Sequence, residues 1–252
     1  MTVNAMKLES RWTNIRWGRM HARVHRRSVA SRSVVLVHGL VISSRYMEPT
    51  AEQLAPLCDV YAVDLPGYGL SDKPACVLSL SDLADALSEW MKAEDLPTAH
   101  LAANSFGCQV LAEFAVRHST QVDRLVLQGP TIDPAARTLW RQVGRLIKNS
   151  RKESPRLGTI MLRDYVRAGL KRIIQTVKMA LEDRIEDKLP YISMPTLVIR
   201  GEHDPIVPQQ WAEEVCRLLP HGQLTMIPGG AHTLNYTEPA AFVSAMRPFL
   251  NL

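Results

Sequence analysis

The chain has 252 residues, 46% of them hydrophobic and 22% charged, with four well-separated cysteines, Cys58, Cys76, Cys108 and Cys216. That length and apolar share support a folded domain with a sizeable core rather than a disordered chain. No window approaches the 18 apolar residues of a membrane span, and cysteines without a CxxC pair fit a reducing compartment and exclude a cysteine-based zinc knuckle. The formal charge of +5 is uneven: residues 1–33 hold eight Lys/Arg against one Glu, residues 130–188 hold 14 against seven acidic residues, and the remainder is acidic. Basic regions raise nucleic acid as a partner class, but these coincide with no recognition motif, so none is expected. The first 19 residues lack the apolar run of a secretory signal, which points to a cytoplasmic protein.

In chain order, an N-terminal stretch able to form a hairpin precedes a short apolar strand over residues 33–37, broken by His38-Gly39. Residues 60–64 form a second strand, stopped by Leu65-Pro66-Gly67. Leu80, Leu83, Ala84, Leu87 and Met91 share one face of a helix. Residues 99–103 are a third strand, followed by a helix over 108–118. Strands over 124–128 and 195–200, a helix over 209–219 and a last strand over 223–227 complete the pattern. Short apolar runs separated by helices indicate an α/β fold with a mostly parallel sheet covered on both faces.

Residues 133–189 contain no good strand. A helix over 135–148 carries Leu139, Trp140, Val143, Leu146 and Ile147 on one face and Arg137, Arg141 and Arg145 on another. After Pro155 and Gly158, Val166, Leu170, Ile173 and Val177 form a second apolar stripe, with Arg163, Arg167 and Lys171 as its basic counterpart. A solvated outer face is the ordinary reading of such basic stripes. The chain thus divides into one α/β domain, residues 1–132 and 190–252, with a helical insertion at 133–189.

The segment Ala103-Asn104-Ser105-Phe106-Gly107 runs from a strand into a helix, the setting in which a serine can be held exposed at the carboxyl edge of a sheet. It is a relaxed G-x-S-x-G, with Ala103 in place of the first glycine. A helix N-cap is the alternative role for Ser105. Backbone N–H groups of Leu40, after His38-Gly39, and of Phe106, at a helix start, are candidate donors to a developing oxyanion. Asp204 follows one strand and His232 the last, so both reach the edge that carries Ser105. A serine hydroxyl needs a base, and the base needs an orienting carboxylate. Ser105, Asp204 and His232 supply one of each in that order. Glu202 and His203 compete for the acid and base roles, and Asp133 is a second candidate acid. The residues point to no metal and no cofactor.

These segments resemble the α/β-hydrolase superfamily over nearly the whole chain. Val35-Leu36-Val37-His38-Gly39 is similar to its oxyanion strand, the run Asp64 to Asp72 to its D-x-P-G-[FY]-G-x-S-D loop, and Asn104-Ser105-Phe106-Gly107 to its nucleophile elbow. Gly201 to Pro208 is similar to the acid loop and Gly230-Ala231-His232 to the base loop. The resemblance implies the α/β-hydrolase fold, with residues 133–189 as a cap over the site. The subgroup looks like small, capped bacterial serine hydrolases, which include carboxylesterases, pimeloyl-ester hydrolases and meta-cleavage-product C–C hydrolases. The expectation is a cofactor-free hydrolase of an ester, lactone or thioester of a small, largely apolar molecule. A C–C bond hydrolase and a hydrolysis-weak ligand receptor on the same fold are the alternatives. His38, Trp140, Val143, Ile206 and Val207 are expected at the substrate pocket. An acidic carrier protein is a candidate partner for Arg137, Arg141 and Arg145 on the cap.

Overall fold

The computed structural model describes residues 8–27, 32–150 and 154–252. The expected N-terminal hairpin is β1 (Glu9–Ile15) and β2 (Gly18–His25). The sheet then takes β3 (Ser33–Val37), β4 (Asp59–Val63), β5 (Ala99–Asn104), β6 (Val122–Gln128), β7 (Thr196–Gly201) and β8 (Gly222–Ile227). Their order across the sheet is β1-β2-β4-β3-β5-β6-β7-β8. The hairpin adds antiparallel through β2 to β4, and from β4 to β8 every pairing is parallel.

Alternate residues of the central strands enter two different cores, as the two-residue period of a strand requires. Val35, Val37, Leu101, Ala103, Leu125 and Leu127 pack on one side. There they meet α2 (Leu80–Ala93), α3 (Phe106–Arg117) and α8 (Gln209–Leu218). Val34, Leu36, Ala102, Val126, Leu197 and Ile199 pack on the other, against α1 (Glu48–Leu54) and α10 (Pro239–Leu250). Ser79 starts α2 with a capping box: its hydroxyl accepts from Asp82 N, and the Asp82 carboxylate accepts from Ser79 N. Helices α1 and α10 are additions to the sequence reading.

Between β6 and β7 the chain is helical: α4 (Leu139–Ser150), α5 (Pro155–Ala168), α6 (Leu170–Glu182) and the short α7 (Ile185–Lys188). The helix expected from 135 begins later. Asp133 accepts from Ala135 N and Pro134 opens a 3-10 turn, Pro134–Ala136, before α4 starts. The expected orientation of the stripes is also corrected. On α4 the apolar face points to solvent, with Leu139, Trp140, Leu146 and Ile147 all exposed. The polar face turns inward: Arg145 donates to Asp133 and to the Ile206 carbonyl, and Gln142 to the Ala136 carbonyl. On α5 and α6 the buried positions are mixed, Leu157 and Ala180 with Asp164, Arg172 and Thr176; of the second stripe Val166 and Leu170 are exposed and Ile173 and Val177 half-buried, while Arg163, Arg167 and Lys171 are exposed as expected. The groups beneath α4 are polar, so Gln142 and Arg145 take its inward positions.

The loop after β4 is built around one carboxylate. Buried Asp64 accepts from His21 Nδ1 at 2.8 Å, Leu70 N at 2.8 Å and Ser44 N at 2.5 Å. The Ser71 hydroxyl donates to the Asp64 carbonyl and accepts from His21 N. Gly69 has φ +53, and a Cβ there would lie 2.2 Å from the Asp64 carboxyl carbon. Burial pushes the Asp64 carboxyl up, but the His21 hydrogen bond, the nearby His38 and the Leu70 N–H outweigh it and hold the group below its ordinary value.

A carboxyl held low in the folded state contributes stability above its unfolded pKa, and that stability is lost as pH falls through the folded value. His21→Ala removes the strongest downward influence, so its acid-unfolding midpoint should move to higher pH than in the wild type, followed by circular dichroism. At neutral pH, urea unfolding should show a loss of about 3 kcal/mol.

Candidate active site

Ser105 stands between β5 and α3 with φ 56° and ψ −122°. A non-glycine residue there is strained, and the strain holds only because the surroundings fix it. Ser105 N donates to the Gln128 carbonyl at 2.9 Å, and Cys108 N donates back to the Ser105 carbonyl at 2.8 Å to start the helix. Ser105 occupies the N-cap position of α3, but its hydroxyl makes no side-chain cap bond. The turn is tight against β3. A Cβ on Gly107 would lie 2.6 Å from the His38 carbonyl oxygen and 3.1 Å from the Ala103 methyl. Ala103 is therefore accommodated because Gly107 has no side chain.

His232 and Asp204 are both buried and meet at 2.7 Å, Nδ1 to Oδ2. The other Asp204 oxygen accepts from Ile206 N at 2.8 Å and Val207 N at 3.0 Å. Arg200 staples the acid loop from beneath: its Nε donates to the Val207 carbonyl and its Nη2 to the Asp204 carbonyl. On the far side of the imidazole, the buried Nε2 of His232 has no hydrogen-bond partner. With Nδ1 donating to the carboxylate, Nε2 is a basic lone pair available to a hydroxyl proton.

Two amides locate the base loop. The His232 carbonyl accepts from Gln128 Nε2 at 2.8 Å and from Asn104 Nδ2 at 3.2 Å, and Asn104 Nδ2 also reaches Gln128 Oε1 at 2.5 Å. Asn104 and Gln128 end adjacent strands in register. Gly129, which follows, has φ +56, and a Cβ there would lie 2.9 Å from His232 Cε1. From the insertion, Asn149 Oδ1 accepts from His232 N at 3.3 Å, and Arg145 Nη1 donates to the Ile206 carbonyl at 2.9 Å. Asn104, Gln128, Arg200, Arg145 and Asn149 were not singled out for these contacts from sequence. Their partners lie 4 to 128 positions away, and most of the contacts show only in three dimensions.

The competing residues have other work. Asp133 is engaged by Arg145 at 2.7 Å, Glu202 accepts from Gly229 N, and His203 is exposed on the loop surface. Leu40 and Phe106 follow adjacent strands β3 and β5, whose ends pair Val37 with Ala103. Phe106 is the first residue of α3, where an N–H has no intrahelical acceptor.

The expected pocket residues divide. His38 is fully buried, with Nδ1 donating to the Gly39 carbonyl and Nε2 accepting from Leu65 N. Both ring nitrogens are thus committed, and burial pushes its pKa down. It holds the turn rather than facing a pocket. Trp140 is 81% exposed on the outward face of α4, which corrects its placement in a pocket lining. Val143 is half-buried beside it, and Ile206 and Val207 are buried within the acid loop. Arg137 is paired with Glu186 at 2.7 Å and Arg145 with Asp133, so neither is a free cation of a docking stripe.

Residues 34–245 match the model of the Alpha/beta hydrolase family, and the chain belongs to it. It is similar to the pimeloyl-[acyl-carrier protein] methyl ester esterase of Vibrio cholerae, 28% identical over 250 residues, 86% of this chain and 94% of that protein. It is 24% identical over 249 residues to a putative carbamate hydrolase, RutD, of Yersinia enterocolitica, 88% of each chain. A carboxylesterase from Bacillus subtilis superposes with a TM-score of 0.76 at 22% identity, covering 97% of this chain and 92% of the other.

Because backbone atoms of β3 oppose it, Gly107→Ala cannot be relieved by a side-chain rotation. It should cost about 1–3 kcal/mol in urea unfolding, whereas an alanine at Gly158, which has open space around it, should cost nothing measurable.

Proposed function

We propose that this alpha/beta hydrolase is a serine hydrolase that cleaves a carboxylic ester, lactone or thioester of a small, largely apolar substrate through an acyl-enzyme. One observation carries the reading: a buried imidazole bonded to a carboxylate through Nδ1, with Nε2 unpartnered, on the same sheet edge as a serine in strained backbone geometry. Names of relatives as esterases and a carbamate hydrolase support ester-type chemistry in general.

In this mechanism Ser105 Oγ attacks the carbonyl carbon as His232 Nε2 takes the hydroxyl proton. Asp204 keeps Nδ1 protonated and stabilises the imidazolium. The Leu40 and Phe106 N–H groups receive the negative charge that develops on the carbonyl oxygen. The tetrahedral intermediate collapses, the C–O bond breaks, and His232 returns its proton to the departing alkoxide. Water then repeats the sequence on the acyl-Ser105 ester, releasing the acid and restoring the serine. The insertion is the cap in this scheme. Its Arg145 and Asn149 contacts to the acid and base loops support that role.

An acyl-carrier-borne ester belongs among the substrates to assay, given the pimeloyl relative. Arg137 and Arg145 are not the residues through which such a carrier would dock, since both are spent in ion pairs within the fold.

With short p-nitrophenyl esters, Ser105→Ala should abolish the acyl-enzyme burst and steady turnover while the melting temperature stays within a few degrees of wild type. Unchanged turnover in that variant would remove the mechanism. Asp204→Asn should lower kcat by about 10⁴, the cost of losing the imidazole's correct tautomer. Arg145→Glu should lower turnover of free esters as well as carrier-bound ones, because it strips Asp133 and the Ile206 carbonyl of their partner.

A further inference from the structure

Helices α5 and α6 repeat one surface pattern. Leu162 and Val166 lie one turn apart on α5, and Leu170 and Ile174 one turn apart on α6; their exposures are 66, 76, 71 and 58%. The residue after each of the first three is basic: Arg163, Arg167 and Lys171. On a helix, successive residues are about 100° apart, so each aliphatic row is bordered by a cationic row on the same outward side. The inward positions hold Leu157, Asp164, Arg172, Thr176 and Ala180, with Tyr165, Ile173 and Met179 partly packed on the core. Helix α4 exposes a third aliphatic row and Trp140. Apolar surface of this extent on a water-soluble face marks a contact site.

The charges say what covers it. Among the described residues, Arg163, Arg167 and Lys171 make no ion pair, and the insertion region 130–188 has twice as many basic as acidic residues. Unsatisfied cations beside branched aliphatic side chains match the layered chemistry of an anionic lipid surface, with phosphates outside and acyl chains beneath. An acidic protein partner would have to present apolar side chains in register with both aliphatic rows, whereas a lipid surface supplies acyl chains without register. A second copy of this chain would bring like charges together. No helix among the described residues is long and apolar enough to cross a membrane.

We propose that the outward face of α5 and α6 docks this protein on anionic lipid bilayers. The aliphatic rows enter the headgroup boundary while Arg163, Arg167 and Lys171 pair with lipid phosphates. The inference is independent of the catalytic reading, because none of these residues belongs to the Ser105 site.

The test is co-sedimentation of the full chain with vesicles of equimolar phosphatidylglycerol and phosphatidylcholine, compared with phosphatidylcholine alone. Expected is binding to the anionic vesicles that weakens with added salt and at least tenfold weaker binding to the neutral ones. Each basic residue should contribute about fivefold, so Arg163→Gln, Arg167→Gln and Lys171→Gln together should weaken binding by about two orders of magnitude. Leu162→Ser, Val166→Ser and Leu170→Ser together should weaken it at least tenfold with unchanged thermal melting, since all three are exposed. Ser105→Ala should bind as wild type does, which excludes acylation of Ser105 by lipid as the source of the sedimentation. Wild-type binding that does not distinguish the two vesicle types overturns the proposal, as does binding that both triple variants retain. A wild-type dimer that ignores vesicles and is made monomeric by the serine variants assigns the face to a second copy. Binding of an acidic acyl carrier protein without vesicle binding assigns it to a protein.

Discussion

The carboxyl edge of this sheet depends on a single carbonyl oxygen held by two amides. Gln128 and Asn104 end neighbouring parallel strands, and both donate to the backbone of His232, which arrives from the far edge of the sheet after β8. Parallel strands deliver their ends to one side of a domain, but they do not by themselves set the ångström-level position of a loop that follows the outermost strand. The amide pair does, by fixing the histidine backbone to the same strands that present Ser105. Ser105 N in turn donates to the Gln128 carbonyl, so one residue of β6 orients both the Ser105 turn and the His232 loop. Asp204 is set by a second device. Arg200 collects three carbonyls of the acid loop, while two backbone N–H groups saturate the carboxylate oxygen that does not face the imidazole.

Much of this was legible in the chain. Strand positions followed from short apolar runs, because strands buried on both faces leave no polar alternative. The shared sheet edge of Ser105, Asp204 and His232 followed from their placement after such runs. The supporting residues did not announce themselves. Asn104, Gln128 and Arg200 are polar side chains in or beside apolar strands, a pattern compatible with many roles. His21 sits in a hairpin 43 positions from Asp64 with no local sign of the bond between them. A hydrophobic periodicity reports that a helix is amphipathic but not which of its faces meets the protein. On α4 that ambiguity resolved against expectation, because Asp133, the Ile206 carbonyl and His232 N offered polar partners that Arg145 and Asn149 could satisfy. Buried polar groups must be paired, and that requirement overrode the usual preference for apolar contact.

The uneven charge of the sequence takes a different meaning in the fold. The N-terminal basic residues are largely engaged: Arg11 and Arg26 share Glu94, Arg19 lies on Asp72, and Arg16 lies between Asp85 and Glu89. They tie the edge hairpin to α2 and to the loop after β4, and an edge strand so bordered by cations resists pairing with another sheet. In the insertion Arg137 and Arg145 are half-buried and paired with Glu186 and Asp133, whereas Arg163 and Arg167 are exposed and make no ion pair among the described residues. Two regions of equal net charge therefore have unlike surfaces, one neutralised by the domain it borders and one left as a cationic margin to aliphatic rows.

The contacts of Arg145 and Asn149 have an evolutionary consequence. An insertion between two strands of a sheet is the natural place for a lineage to exchange segments, since the sheet closes without it. Here the segment carries a half-buried cation that donates to the Ile206 carbonyl and an amide that receives His232 N. A transplanted insertion lacking those two side chains would leave a backbone carbonyl and a backbone N–H without these partners beside Asp204 and His232. Segments exchanged at this junction therefore keep the two loops in place only where they preserve both anchors.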